Sequence, residues 1–168
     1  RKFLIAQYSY APSDKFNAYL NYAGGQGLDS SRGDQFDVVL TSKLSDKFGL
    51  AYNGTINMSK ERIDGKFGGS QDWWGSALYL NYDATDKLGL TLRNEYFSDA
   101  DARLMFTGIQ GGGNIFATTL SANIHIGNCF ALIPEVRVDN ASQNIFLKNN
   151  GAGSKSAVSA LVAAVFAW

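Results

Sequence analysis

Hydrophobic and polar residues alternate along most of the chain, and a period of two predicts β-strands. In the stretch LGLTLRNEYFSD at 88–99, Leu88, Leu90, Leu92 and Tyr96 fall at every second position, while the alternate positions include Arg93 and Glu95. A soluble β-sandwich would turn the leucines to a core and the charges to water. A membrane β-barrel would turn the leucines to lipid and the charges to a lumen. The strand alone is compatible with both arrangements, so the rest of the pattern must separate them.

The same alternation extends over nine segments of about 8 to 12 residues, the length that a tilted membrane strand needs. Tight turns with the sequences APSDK, LSDK, ATDK and GNC alternate with long loops rich in Gly, Asn, Ser and charge. We predict strands at 2–11, 15–23, 35–44, 48–58, 72–83, 87–97, 115–126, 129–139 and 157–168, and long loops at 24–34, 59–71, 98–114 and 140–156. The repeating unit is therefore a hairpin followed by a long loop, which predicts an antiparallel up-and-down sheet.

Apart from Lys2 and Asp72, which begin their segments, one face of the nine segments carries no charged residue, and it is the face in phase with Leu88 and Leu90. The opposite face is rich in Asn, Thr and Gly and holds isolated charges of both signs. These charges include Asp37, Lys43, Arg93, Glu95, Glu135, Arg137 and Asp139. A charge-free face fits a soluble core as well as a lipid-facing band, so the aromatic residues become decisive.

Most aromatic residues on the charge-free face lie near the strand ends, whereas the strand middles are mainly aliphatic. Two aromatic girdles around an aliphatic band are typical of membrane β-barrels, because amphipathic rings settle at the level of the headgroups. We predict one girdle beside the tight turns, formed by Tyr8, Tyr10, Phe16, Phe48, Tyr82, Phe130 and Trp168, and one beside the long loops, formed by Tyr22, Phe36, Trp74, Tyr96 and Phe116. The sequence thus favours an all-β, antiparallel up-and-down transmembrane β-barrel.

Composition narrows the choice of function classes. The 168 residues include 15 basic and 15 acidic ones, and this net charge of zero gives no electrostatic case for a nucleic-acid partner. The single Cys129 excludes an internal disulfide and a multi-cysteine metal site. The longest apolar run, at 160–168, is too short for a transmembrane helix.

Two motifs resemble those of known outer-membrane proteins. The chain ends in SALVAAVFAW, with Val162, Phe166 and Trp168 on the charge-free face, and this resembles the C-terminal recognition signal of bacterial outer-membrane proteins. The segment RNEYFSD at 93–99 and the repeated SDK turns are similar to the OmpL-like β-barrel porin-2 family. The residues that carry this second resemblance are Arg93, Glu95, Tyr96, Phe97 and Asp99.

The resemblance implies an outer-membrane porin for passive diffusion of small hydrophilic solutes or ions, with no enzymatic role and no cofactor. Its partners would be the outer-membrane bilayer, the barrel assembly machinery during insertion, and a homo-oligomer or larger membrane complex. Long loops would be external and short turns periplasmic. Two alternatives stay open at this point: a pore-less accessory barrel that docks another membrane protein, and a soluble β-barrel that binds a small apolar ligand.

The number of strands leads to an expectation about the barrel domain. Bacterial single-chain barrels have an even number of strands and both ends in the periplasm. Nine strands are visible in residues 1–168, and the alternation of turns and loops puts residue 1 on the outer side. We therefore expect this single domain to be the C-terminal part of a barrel of ten or more strands, incomplete at its N-terminus.

The charged face supplies the candidate pore-lining residues. Two charged groups lie on the predicted strands 87–97 and 129–139, and the strand between them supplies polar residues. The full set of candidates is Asp37, Lys43, Arg93, Glu95, Asn123, His125, Glu135, Arg137 and Asp139. One interpretation is a constriction whose mixed charge selects solutes. The other is that the charges pair and simply fill a narrow barrel.

Several residues carry weaker signals. His125 is the only histidine, so the sequence predicts no metal site, and a hydrolase using Ser121 and His125 is a minor alternative to a polar lumen histidine. Met105 and Phe106 would either dip into the lumen or contact a partner. Pro134 lies in the middle of a predicted strand, where we expect a bulge or a local break.

Overall fold

The computed structural model describes residues 2–27, 31–127 and 129–166, and these ranges contain strands and turns without a helix. Nine strands form one antiparallel sheet in which each strand pairs with the next along the chain, and β8 pairs with β11. The strands are β1 Phe3–Ser13, β2 Phe16–Gln26, β3 Arg32–Lys43, β4 Phe48–Ile63, β5 Lys66–Thr85, β6 Leu88–Asp99, β7 Gly113–Ile126, β8 Phe130–Ala141, β9 Phe146–Leu147, β10 Gly153–Ser154 and β11 Ser156–Phe166. The predicted up-and-down all-β fold is confirmed. No helix of the length and hydropathy that membrane crossing needs occurs in these ranges.

The predicted long loop at 59–71 is wrong, because β4 and β5 continue through it as a hairpin. Ile63 pairs with Lys66 across a two-residue turn. Asp64 and Gly65 both adopt positive φ, 50° and 78°, as the primed turns of tight hairpins require. Asp-Gly is a strong local signal for such a turn, so this hairpin was visible in the sequence.

Part of the predicted loop at 140–156 also forms strands. The short strands β9 and β10 pair with each other in a separate two-stranded sheet. The predicted loop at 98–114 is shorter in the structure: residues 100–112 form an irregular connection between β6 and β7.

Pro134 interrupts the ladder between β7 and β8 without changing its register. The pairs Ser121 with Glu135 and Ile124 with Leu132 flank two positions that are not paired. A proline has no N–H to donate, so the ladder opens locally instead of forming a bulge. On the other side, Pro134 still lies opposite Val162 of β11.

The two faces of the sheet differ sharply in exposure. On the charge-free face, Leu78 and Leu120 are 48% and 55% exposed in mid-strand. On the other face, Ala77, Ala117 and Thr119 are 7%, 1% and 2% exposed. The sheet therefore curves around its polar face and presents the aliphatic band outwards. An apolar surface of this extent suits lipid rather than water.

In the described part of the chain, β1 and β11 are the two edges of the sheet, which is not closed. The expectation that further strands complete the barrel stays a prediction. Of the predicted C-terminal signal, Val162 and Phe166 lie exposed on β11, whereas Trp168 is outside the described residues.

Candidate functional site

Four charged residues on the concave face form a connected group that we name the charge ladder: Arg93, Glu95, Arg137 and Asp139. The Arg93 Nε lies 3.1 Å from a carboxylate oxygen of Glu95. Arg137 pairs with Glu95 through one guanidinium nitrogen, and a second nitrogen lies 2.9 Å from Asp139 Oδ1. Each carboxylate of the ladder therefore has a cationic partner.

Strand β7 explains how residues of β6 and β8 can meet. The register of the paired strands places Thr119 of β7 between Arg93 and Arg137, and Ala117 of β7 between Glu95 and Asp139. Strands two apart are separated by roughly 9.5 Å, so only long side chains can span the gap. The short side chains of Ala117 and Thr119 leave room for that crossing and are buried beneath it.

A second polar group on the same face surrounds Asp37 and is named the amide cluster: Gln7, Asn21, Asp37, Asn53 and Thr55. Asn21 donates to one carboxylate oxygen of Asp37 at 2.7 Å. Asn53 and Thr55 donate to the other at 2.9 and 2.7 Å. Gln7 extends the cluster by donating to Asn21 at 2.7 Å. Neutral donors thus solvate this carboxylate, and none of the ion pairs found in the described ranges includes it.

The connection 100–112, named the β6–β7 loop, is held by the last residue of β6. The fully buried Asp99 carboxylate accepts hydrogen bonds from the backbone N–H groups of Arg103, Leu104 and Phe106, at 2.6, 2.8 and 3.0 Å. Hydrogen bonds to an ionised acceptor are about twice as strong as neutral ones. Asp99 therefore fixes the first half of the loop in one conformation.

The middle of the loop packs into the sheet. Phe106 is completely buried. A Cβ on Gly113 would come within 2.3 Å of the Phe106 ring, so a glycine is required where β7 begins. Burial of a phenylalanine side chain contributes roughly 1.5–3 kcal/mol.

Further contacts fasten the loop to neighbouring elements. Arg103 forms an ion pair with Glu61 of β4. Asp101 accepts a hydrogen bond of 2.7 Å from the backbone N–H of Asp72 in β5. The long β4–β5 hairpin thus supports the loop from the side.

The β6–β7 loop and the charge ladder face the same space. A cavity of about 530 Å³ is bounded by Leu104 and Met105 of the loop and by Glu95 and Arg137 of the ladder. Its wall also contains the aromatic rings of Trp73 and Phe97 and the polar side chains of Gln35, Asn53 and Thr55. Met105 thus lies on the concave side of the sheet. The cavity is amphipathic, with apolar and charged walls.

The remaining candidates lie apart from the ladder. Lys43 is near the turn end of β3, where its ammonium lies 3.3 Å from Asp46. Asn123 and His125 are exposed close to the turn after β7. Glu135 is on the concave face but takes no part in the ion pairs of the described residues, so the predicted grouping with Arg137 and Asp139 is incomplete.

The predicted girdle residues form local ring pairs on the convex face. At the long-loop end, the Tyr22 and Phe36 ring centroids are 5.0 Å apart, and those of Trp74 and Tyr96 are 5.2 Å apart. At the turn end, Phe48 and Tyr82 stack at 4.7 Å. The rings therefore cluster at both ends of the band. Of the girdle residues, Tyr8, Tyr10, Phe16, Phe116 and Phe130 also lie on this face, whereas Trp168 is outside the described ranges.

Sequence inspection missed three contributors to this site. Asp99 was noted only as part of a motif, although an Asp directly after a strand often bonds backbone N–H groups that follow it. Thr119 accepts a hydrogen bond of 3.4 Å from Arg93, and the Arg93 guanidinium lies 5.9 Å from the Tyr79 ring centroid. Only the strand register reveals the last two contacts.

Comparison with known proteins adds to this geometry. Residues 1–168 match the model of a family described as "Putative beta-barrel porin-2, OmpL-like". No curated protein sequence matches the chain. A solved structure titled "NanC porin structure in rhombohedral crystal form" is similar with a TM-score of 0.60 and 10% sequence identity, over 99% of this chain and 78% of that one. At this identity, the similarity concerns the fold.

Proposed function

The chain belongs to the OmpL-like β-barrel porin-2 family, and we propose that it passes small hydrophilic solutes through a lumen narrowed between the β6–β7 loop and the charge ladder. The protein is a β-barrel porin of the bacterial outer membrane. The proposed narrowing of the lumen is supported by the cavity that has Met105 in one wall and Arg137 in another.

The arrangement of the two faces supports a water-filled path. The outward band is aliphatic, and the inner face carries hydrated groups, as the amide cluster and the ladder illustrate. A solute that passes the narrowing meets a fixed apolar surface and a fixed charged surface at the same depth. Mixed charge at a constriction tunes which ions pass. The candidate pore-lining residues act in this role, with Lys43, Asn123 and His125 closer to the turn end.

The orientation in the membrane follows from general barrel architecture. Long loops face outwards and short turns face the periplasm, and the two aromatic girdles lie at the two interfaces. Val162, Phe166 and Trp168 form the segment that the barrel assembly machinery recognises. The apolar band contacts lipid or a second copy of the chain.

Charge compensation predicts a weak preference for cations. The two arginines and two carboxylates of the charge ladder cancel. Asp37 and Glu135 then add uncompensated negative charge to the concave face, whereas Lys43 is paired with Asp46. Small cations are therefore expected to pass more readily than anions of similar size.

Planar-bilayer recording of the double variant Arg93→Ala/Arg137→Ala tests the proposal. Without the guanidinium groups, Glu95 and Asp139 are uncompensated, and the reversal potential in a salt gradient should shift towards stronger cation selectivity. The control is Lys43→Ala, which removes positive charge near the turn end and should shift it less. An unchanged selectivity in a conducting double variant would place the ladder outside the ion path, and a wild-type protein without conductance would contradict the porin function.

A further inference from the structure

Four cations form a patch at the long-loop end of the convex face, which we name the outer collar: Lys2, Arg32, Lys60 and Arg62. Arg32 of β3 lies opposite Gln26 of β2 and Lys60 of β4, and the Gln26 N–H bonds to the Lys2 carbonyl. Lys2, Arg32 and Lys60 therefore occupy one row across four strands. Arg32 is four residues beyond Phe36 on the same face, or about 13 Å along the strand. This position is just outside the predicted aromatic girdle, at headgroup depth.

The collar encloses a cavity. A space of about 790 Å³ is lined by Lys2, Arg32 and Arg62, together with Leu4, Tyr22 and Phe67. The Arg62 guanidinium lies 5.6 Å from the Phe67 ring centroid, and its Nε donates to the Gly65 carbonyl at 3.0 Å. The extended β4–β5 hairpin thus holds a cation over the face formed by β1, β2 and β3.

The polar partners of the collar leave it positively charged. Arg32 contacts Asp34 at 3.1 Å, and Asp34 also accepts a hydrogen bond of 2.6 Å from the Tyr22 hydroxyl. Lys2, Lys60 and Arg62 are absent from the ion pairs formed within the described ranges. In contrast, Arg93, Arg103 and Arg137, on the concave side, all have carboxylate partners. Asp34 thus offsets one of the four collar charges, and three of the collar cations lack the direct carboxylate partner that the inner arginines have.

We propose that the outer collar binds the phosphate groups of a phosphorylated membrane lipid. Guanidinium and ammonium groups are the usual ligands of phosphate. Basic clusters at headgroup depth attract anionic lipids. The aliphatic band and the rings of Tyr22 and Phe67 lie where the apolar part of the same lipid would continue. The site takes an anionic amphiphile, which distinguishes it from the lumen and its small hydrophilic solutes. It rests on the outer-membrane location of the protein but not on an open pore.

Lipid binding to the full chain in detergent tests this site, with bisphosphorylated lipid A as the probe and native mass spectrometry as the readout. The double variant Lys2→Gln/Arg62→Gln should weaken binding about fivefold for each cation removed, or about 25-fold in total. The matched control Lys15→Gln/Lys47→Gln removes two cations from the turn end and should bind like the wild type. Lipid A without phosphates should bind weakly, and equally, to all three proteins.

Three results would overturn the proposal: undiminished binding to the collar variant, an equal loss in the turn-end control, or tight binding of the phosphate-free lipid. Planar-bilayer conductance of the collar variant gives an independent readout. It should equal that of the wild type, because the collar lies on the convex face. A wild type that binds lipid A but does not conduct would contradict only the porin function, and the collar site would be supported.

Discussion

Two regions of the concave face hold carboxylates in different ways. In the charge ladder, Glu95 contacts Arg93 and Arg137, so the negative charge is cancelled by neighbouring positive charge. In the amide cluster, Asp37 accepts hydrogen bonds from the neutral donors Asn21, Asn53 and Thr55. The first region is electrically neutral, whereas the second keeps a net negative charge.

The difference shows that strand neighbours determine how a lumen charge is stabilised. Beside β6 and β8, the small residues Ala117 and Thr119 allow arginines to reach across a strand. Beside β3, the neighbours of Asp37 are short polar side chains that reach only the adjacent strand. The net field in the lumen therefore depends on which charges are compensated and not on how many there are.

Releasing the β6–β7 loop, which faces the charge ladder across the cavity, from Asp99 is expected to have the largest effect. Asp99→Ala leaves three backbone N–H groups without their acceptor. We expect it to destabilise the loop by about 3–5 kcal/mol, because hydrogen bonds to charged groups contribute about 1.5–3 kcal/mol each and the released amides can partly reach water. Single-channel conductance should rise as Leu104 and Met105 leave the cavity wall.

The control for this prediction is Asp101→Ala, which removes one hydrogen bond to the Asp72 N–H and leaves Asp99 in place. Its conductance should stay close to that of the wild type. If Asp99→Ala conducts like the wild type while the loop becomes protease-sensitive, the loop does not narrow the ion path.

Neutralising Glu95, the charge-ladder carboxylate that contacts both arginines, is expected to have the second largest effect. Glu95→Gln removes the partner of two arginines, and we expect the free energy of unfolding to fall by about 1–2 kcal/mol, since these ion pairs are only partly buried. Selectivity should shift towards anions because the ladder gains a net positive charge. Urea unfolding in detergent micelles, followed by tryptophan fluorescence, and reversal potentials measure the two quantities. A more stable variant would contradict the proposed ladder pairing.

Asp37→Asn is the matched change in the amide cluster and is expected to have the smallest effect on stability. It removes the same charge from the same face, so selectivity should shift towards anions by a similar step. The amide oxygen can still accept from Asn53 and Thr55, and the Asn21 amide can flip to accept from the new NH2 group, so the expected loss is about 0.5–1 kcal/mol. Equal stability losses for Glu95→Gln and Asp37→Asn would show that the two regions do not differ as described.

The sequence alone predicted most of the sheet. The direction of a side chain in a strand depends only on the parity of its position, so alternation in the chain fixed which residues share a face. The predicted strands at 35–44 and 115–126 overlap closely with β3 and β7. The β4–β5 hairpin was missed although its Asp64-Gly65 turn is local, because the charged stretch before it lacks the alternation expected of a membrane strand.

The site was only partly predictable for a physical reason. The sequence shows that Arg93, Glu95 and Arg137 lie on one face, but Glu95 and Arg137 are 42 residues apart, and only the paired register brings them together. The burial of Phe106 depends on Gly113 and on support from Glu61 of a distant hairpin. Strand parity, girdles and turns are local properties of the chain, and they determined the barrel wall. The packing of the β6–β7 loop on the concave side, on which the proposed narrowing rests, comes from contacts between distant segments, and only the tertiary structure decided it.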